Sequence, residues 1–328
     1  MNARTLKALA PALALAASGG CADAGDVDTA VAAERQAARP DGEERPRIAV
    51  TLDDLPWVGP TPAEGLVGAT ERLLAPLTER GAAATGFVVC KGMSRHEGAE
   101  ALDVWKRRGM VLGNHTARHR DLNRAPLQTW LADVRSCDAE LRRAGFEPRH
   151  FRYPMLHHGP TPERRDAVLA VLAELGYEVA HVTVDNSEYL LRRPFEAALA
   201  RGDQAEMQRL SELLLRHVVA AVRHARQVAR RKLGRDVDHI LLLHANALVA
   251  HNLEALLDAL ESEGFEFISL DEALSDPVYD RPEVYLGPKG LSWLYRIGPL
   301  SERDVEWDDA QARWLREELE SGPSDGPE

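Results

Sequence analysis

The chain has 328 residues, 45% of them hydrophobic and 28% charged, with a formal net charge of −12 at pH 7. That is enough chain for one large α/β domain with a full core, or less readily two small ones. The acidic balance argues against nucleic acid or an anionic membrane surface as the principal partner, and past the N-terminus no apolar run is long enough to span a bilayer.

Residues 1–21 read as an export signal. Arg4 and Lys7 give a positive start, residues 8–17 a short apolar core, and Ser18-Gly19-Gly20-Cys21 a small-residue exit. Two cleavage readings stay open. Cys21 after small residues resembles a bacterial lipoprotein site, although Ser18 stands where such sites usually have Leu; Ala22-Asp23-Ala24 offers an ordinary signal-peptidase site instead. Either route sends the protein out of the cytoplasm, to the periplasm or cell envelope, with membrane attachment only through a lipid on Cys21. Residues 22–46, rich in Ala, Asp, Glu and Arg without apolar periodicity, are expected to be a disordered linker.

From residue 47 strands and helices alternate. Strands are expected over 47–55, 83–89, 110–113, 150–153, 178–184, 239–243 and 265–269, and helices over 63–80, 98–108, 126–144, 161–175 and 253–263. Repeated strand–helix units imply a parallel sheet with helices outside. About seven strands, without a glycine-rich dinucleotide loop, suit a distorted (β/α) barrel of parallel strands better than an open doubly wound sheet. The domain is expected to span 47–275. A helical insertion at 193–235 carries the stripe Leu210, Leu214, Val218, Val222 and Ala225, and its basic cluster (Arg223, Arg226, Arg230, Arg231, Lys232, Arg235) is expected to be a solvated face. A C-terminal extension, 276–328, is expected to pack on the barrel, with Trp307 and Trp314 on one helix face. For Cys90 and Cys137 the expectation is two buried free thiols, against the disulfide that an oxidising compartment permits.

Polar groups recur at the ends of these strands. Ile48-Ala49-Val50-Thr51-Leu52-Asp53-Asp54 closes on adjacent carboxylates before Pro56. Regular strand neighbours point to opposite faces, so the two acids can share a site only where the strand is ending. Side by side they call for a cation, while a helix N-cap followed by a first-turn acid is the plainer alternative. His115-Thr116-Ala117-Arg118-His119 places two imidazoles one helical turn apart, close enough to bind one ion. Arg152, Asp185 and His244 end three further strands. Each alone reads equally well as a structural residue. Asp, His and His with positions left over is the ligand count of a catalytic rather than a structural metal.

In this order the motifs resemble the polysaccharide deacetylase family, the NodB-like carbohydrate esterases of family four, over roughly residues 47–273. Thr51-Leu52-Asp53-Asp54 looks like the first family motif and His115-Thr116-Ala117-Arg118-His119 the second. Arg152-Tyr153-Pro154-Met155, Asp185-Asn186-Ser187-Glu188-Tyr189 and Leu242-Leu243-His244 look like the third, fourth and fifth. The resemblance implies a metal-dependent hydrolase that removes acetyl groups from an N- or O-acetylated glycan, with metal-bound water as nucleophile. It implies that Asp54, His115 and His119 hold a divalent metal, zinc by preference, with Asp53 as general base and Arg152 holding it. His244 would be the general acid, oriented by Asp185, and Tyr153, Pro154 and Met155 would line the substrate and oxyanion site.

The chain departs from the family pattern in places. Met155 stands where an aromatic is usual, Glu188 and Tyr189 replace the usual acid and tryptophan, and His157-His158-Gly159 follows the third motif unexpectedly. These changes touch substrate recognition, so a small non-sugar amide or ester is the alternative substrate. A non-catalytic glycan-binding protein on the same scaffold is a third reading.

Overall fold

In a computed structural model the described residues are 45–321; the export signal and all of the 22–46 linker but its last two residues lie outside them. Seven parallel strands form one sheet: β1 (Arg47–Leu55), β2 (Ala84–Val88), β3 (Val111–Asn114), β4 (His150–Phe151), β5 (Glu178–Val179), β6 (His239–His244) and β7 (Glu266–Ile268). Their order is β5-β4-β3-β2-β1-β6, and β7 pairs with Arg47–Ala49 of β1. Strands buried on both faces read as near-continuous apolar runs, and Ile48, Ala49, Val50 and Leu52 of β1 and Ile240 to Leu243 of β6 are buried throughout. Helices α1 (Gly65–Glu79), α2 (Gly98–Arg107), α3 (Leu127–Arg143) and α4 (Pro162–Leu175) follow the first four strands.

The strand expected over 178–184 pairs only its first two residues with β4. The chain then crosses over: Ala180 N still donates to Phe151 O (2.8 Å), while Val184 N donates to Ile240 O (3.0 Å) and Leu242 N to Val184 O (3.1 Å). One segment thus carries the sheet from β4 to β6 and curls it into a nearly closed barrel, so all the strand C-termini open on one rim.

The insertion is two helices, α5 (Tyr189–Arg201) and α6 (Gln204–Leu233), joined at Gly202 and Asp203. The apolar stripe of α6 is buried as expected. Its basic cluster is not simply solvated. Arg223 pairs with Glu263, Arg226 with Asp236, Arg231 and Lys232 with Asp304, and Arg235 with Asp276, so these cations fasten α6 to neighbouring elements. After β6 comes α7 (Ala247–Ser262), which starts earlier than expected because Asn246 caps it, its side chain accepting from Val249 N. After β7 comes α8 (Leu270–Leu274), and the C-terminal extension contributes α9 (Trp293–Arg296) and α10 (Glu302–Ser321). Trp293 N donates to Val182 O on the barrel. Trp307 and Trp314 instead stack on His224 and His217 of α6, with ring centres 3.8 and 5.5 Å apart. The last helix therefore packs on the insertion as well as following the barrel.

Cys90 and Cys137 are joined in a disulfide, which corrects the expectation of free thiols. The end of β2 and helix α3 bring their Cα atoms to 5.3 Å, within bridging distance.

Candidate metal and catalytic site

The two adjacent carboxylates share a site through a bulge rather than through the end of the strand. β1 pairs Leu52 with Gly86 and Leu55 with Val88, so Asp53 and Asp54 together face the single residue Phe87 of β2. Asp54 is left-handed (φ 65°). A bulge of this kind re-aims a side chain, and both acids line the same cavity at the barrel rim.

The two histidines converge by a similar device. Residues 115–119 do not form a helical turn: Thr116 and His119 both have positive φ (67° and 51°). Side chains hold the irregular loop. Asn114 Oδ1 accepts from Thr116 N (2.8 Å), and Thr116 Oγ1 accepts from His119 N (3.0 Å). Nε2 of His119 and Nε2 of His115 end 3.3 and 3.6 Å from Asp54 Oδ1. The ligand atoms of all three residues lie within 4.8 Å of one another.

Three observations fit this cluster to a divalent cation. Asp54 Oδ1 is buried without a hydrogen-bond partner, a costly arrangement for a carboxylate that has nothing else to neutralise it. His115 Nδ1 lies 2.8 Å from the carbonyl oxygen of Arg152; a carbonyl only accepts, so Nδ1 carries the proton and Nε2 presents its lone pair to the cluster. Burial, helped by neighbouring His119, pushes the His115 pKa down to about 3, which keeps the imidazole neutral, as a ligand must be. Two imidazole nitrogens and one carboxylate oxygen make a hydrolytic type of site with positions left for water and substrate.

Asp53 faces the cluster from behind, its Oδ2 3.7 Å from His115 Nε2. Its other oxygen accepts from Arg152 NH1 (3.1 Å). Arg152 is 1% exposed and fully engaged: Nε donates to Ala180 O (2.7 Å), NH2 to Thr51 Oγ1 (3.2 Å), and the guanidinium carbon sits 4.5 Å from the centre of the Phe87 ring. Asp53 thus keeps one oxygen pinned and one free toward the cavity.

His244 also lines the cavity, at the end of β6, in register with Asp53 of β1. Its Nδ1 lies 3.2 Å from both oxygens of Glu188, one of which also accepts from His244 N (2.8 Å). Glu188 is wholly buried. Burial works against charging His244, but Glu188 outweighs it, with help from Asp54 and Asp53, and the pKa rises to about 10. The orienting role expected of Asp185 therefore falls to Glu188. Asp185 lines the cavity, with burial raising its pKa, and acts on His244 only through space. The sequence signal for Glu188 was its place as the second acid of the fourth motif, three residues beyond Asp185.

The third motif is split by the fold. Tyr153 is buried in an aromatic cluster, stacked on His158 (4.3 Å) and Trp130 (6.1 Å). Neither it nor Pro154 lines the cavity, whereas Met155 does, at 45% exposure. The two histidines that follow also part. His157 lines the cavity with Nδ1 on Asp121 (2.7 Å), while His158 is buried with Nδ1 on Glu283 (3.0 Å). Neither is left as a solvated loop residue.

These residues lie around a cavity of about 510 Å³. A barrel with an acid and two imidazoles converging at its C-terminal rim, and a pinned second acid beside them, is an arrangement able to hold a divalent cation next to a carboxylate. The comparisons narrow the class. The polysaccharide deacetylase family model matches residues 41–180, and no curated protein matches. Among solved structures, the chain is similar to the chitin deacetylase from the fungal pathogen Colletotrichum lindemuthianum (22% identity, 71% of this chain and 89% of that one, TM-score 0.50). It is also similar to the peptidoglycan deacetylase PdaC from Bacillus subtilis (20%, 70% and 92%, TM-score 0.47), and to BA3943, a family-four pseudoenzyme from Bacillus anthracis (15%, 71% and 66%, TM-score 0.48). The structural likenesses show the fold alone. The family match contains the first three of the five motifs, and over residues 41–180 the chain is similar to the polysaccharide deacetylases, a class of hydrolases.

Proposed function

We propose that the protein is an exported, divalent-metal-dependent deacetylase acting on an N- or O-acetylated glycan of the cell envelope, with Asp54, His115 and His119 holding the ion, zinc by preference. The observation that carries this reading is the unpartnered Asp54 Oδ1 facing two imidazole Nε2 atoms, beside a second carboxylate that Arg152 holds by a hydrogen bond. An ion bound there would polarise an acetyl carbonyl and make a water acidic enough to attack at neutral pH. Asp53 takes the proton of the attacking water at its free oxygen. His244, protonated against Glu188, gives its proton to the departing sugar nitrogen or oxygen as the acyl C–N or C–O bond breaks, and acetate leaves. Export rests on the leader-like first 21 residues, with attachment through a lipid at Cys21 as one of its two forms; the Cys90–Cys137 disulfide supports a compartment more oxidising than the cytoplasm.

The test is the metal content of the purified protein, measured with a panel of acetylated sugars and simple aryl acetates. Asp53→Asn is expected to abolish turnover with metal still bound, and Asp54→Ala or His119→Ala to lose the metal. Full activity after exhaustive chelation would defeat the reading. Turnover of aryl acetates without any acetylated sugar would favour a small non-sugar amide or ester, and an unchanged Asp53→Asn protein would favour a non-catalytic glycan binder.

A further inference from the structure

Two segments beyond the 41–180 family match reach the site, and they supply Tyr189, Arg192 and Gly290 to the lining of the cavity. The first is α5. It follows the segment that crosses from β5 to β6 and packs by Phe195 against His251 of α7, the helix after β6 (ring centres 5.4 Å apart). It reaches the loop after β1, where the Arg192–Glu196 ion pair (2.7 Å) closes on Gly59 so tightly that a Cβ there would collide with Glu196. Tyr189 and Arg192 of α5 line the cavity, Tyr189 edge-on to His244 (6.0 Å). The β5, β6 and β1 sectors are therefore walled by one helix.

The second is the stretch before α9. Ser292 Oγ donates to Thr183 O (2.8 Å) in the β5 sector. Gly290 lines the cavity and sits so close to the Met155 carbonyl, in the β4 sector, that a Cβ would collide with it. The Pro288 carbonyl accepts from Asn123 Nδ2 (2.7 Å) in the β3 sector. This wall is anchored from beneath: buried Arg296 pairs with Glu283, which also holds His158, and Arg296 NH1 donates to Lys289 O (3.3 Å). Among the described residues, β2 is the one strand from β1 to β6 whose C-terminal loop sends no residue into the cavity.

A polymer bound through an interior unit must enter on one side of the reacting centre and leave on the other. Here residues from β1, β3, β4, β5 and β6 or the loops after them line the cavity, with α5 and the stretch before α9 adding to its sides, leaving the β2 sector and the top. The volume, about 510 Å³, falls in the range of cavities that enclose small ligands. We infer that the site takes a terminal or free acetylated sugar unit, not an interior unit of a long glycan. This rests on the deacetylase reading above and adds the substrate's form to it.

The experiment uses the metal-loaded full chain and β-linked N-acetylhexosamine oligomers, from the monosaccharide to long chains, labelled at the reducing end, with the deacetylated unit located by mass spectrometry. The expected result is acetate loss from one terminal unit at every length, with kcat/KM level once that unit and its neighbour are present. Tyr189→Ala and the double variant with Arg192→Ala lower one wall and are expected to raise interior deacetylation about tenfold relative to terminal. Interior deacetylation by the unaltered protein, or kcat/KM rising with each added unit, overturns the inference while leaving the deacetylase reading intact. The wild-type product pattern decides the matter even where a variant fails to fold. Loss of activity on every acetylated sugar, with aryl acetates still hydrolysed, instead removes the glycan reading and this inference with it.

Discussion

Replacing Arg152 by Met tests how the reactive carboxylate is held. The guanidinium is 1% exposed and makes three hydrogen bonds, to Asp53, Ala180 O and Thr51 Oγ1, besides lying over the Phe87 ring. Met fills similar space but offers no donor. Asp53, 2% exposed, is left as a buried charge without its partner, and Ala180 O loses its donor; breaking a buried pair from one side costs about 3–5 kcal/mol. In urea unfolding of metal-free protein, with a slope of about 3 kcal/mol per molar, the midpoint is expected to fall by roughly 1–2 M. Saturating zinc should narrow the gap between variant and parent, because a cation at Asp54 lies beside Asp53 and supplies part of the missing charge. Turnover should drop by about 10²–10⁴, the usual contribution of a positioned base. A metal-free variant within about 1 kcal/mol of the parent would refute the accounting, since a buried carboxylate cannot lose its counter-charge so cheaply.

Other outcomes follow from the same geometry. Glu188→Gln removes the charge that holds the His244 pKa up at about 10; the imidazolium then loses its proton at lower pH, and the alkaline limb of the kcat profile should move toward neutrality. Reducing the Cys90–Cys137 bridge, which spans 47 residues, should cost about 4 kcal/mol by loop entropy, read as a fall in Tm under reductant that a Cys90→Ala/Cys137→Ala variant reproduces without reductant. At Asp236, burial raises the pKa, but hydrogen bonds with His239 and Arg226 and their charges lower it further, to about 2. Its folded pKa is depressed, so its stabilisation is complete above the ordinary carboxylate pKa and disappears as pH falls from about 4 toward 2. Urea titrations of the parent and Asp236→Asn should converge across that window.

The strand–helix order, the barrel and the five motifs were legible because each depends on local pattern: apolar runs, punctuating glycines, and polar residues at strand ends. The way the site residues meet was not. Asp53 and Asp54 face one cavity because of a left-handed residue in a bulge, and His115 and His119 meet across two positive-φ residues; neither conformation is written in side-chain periodicity. Tyr153 and Met155 were read together, yet one fills an aromatic cluster and the other the rim, a choice made by tertiary packing. Glu188 displaced Asp185 as the partner of His244 because a longer side chain on the turn before α5 reaches Nδ1. The disulfide needed the spatial approach of β2 and α3, which sequence separation alone does not reveal.

The overhanging walls give this architecture a division of labour. Most of the reactive groups sit on the barrel, whereas part of the shape presented to a substrate comes from helix α5 and a C-terminal strap that the family match does not reach. Substitutions accumulating in Tyr189, Arg192 or the stretch around Gly290 can retune which molecules are admitted while the ion-holding cluster stays fixed. A lineage could then acquire a new diet without reinventing its chemistry.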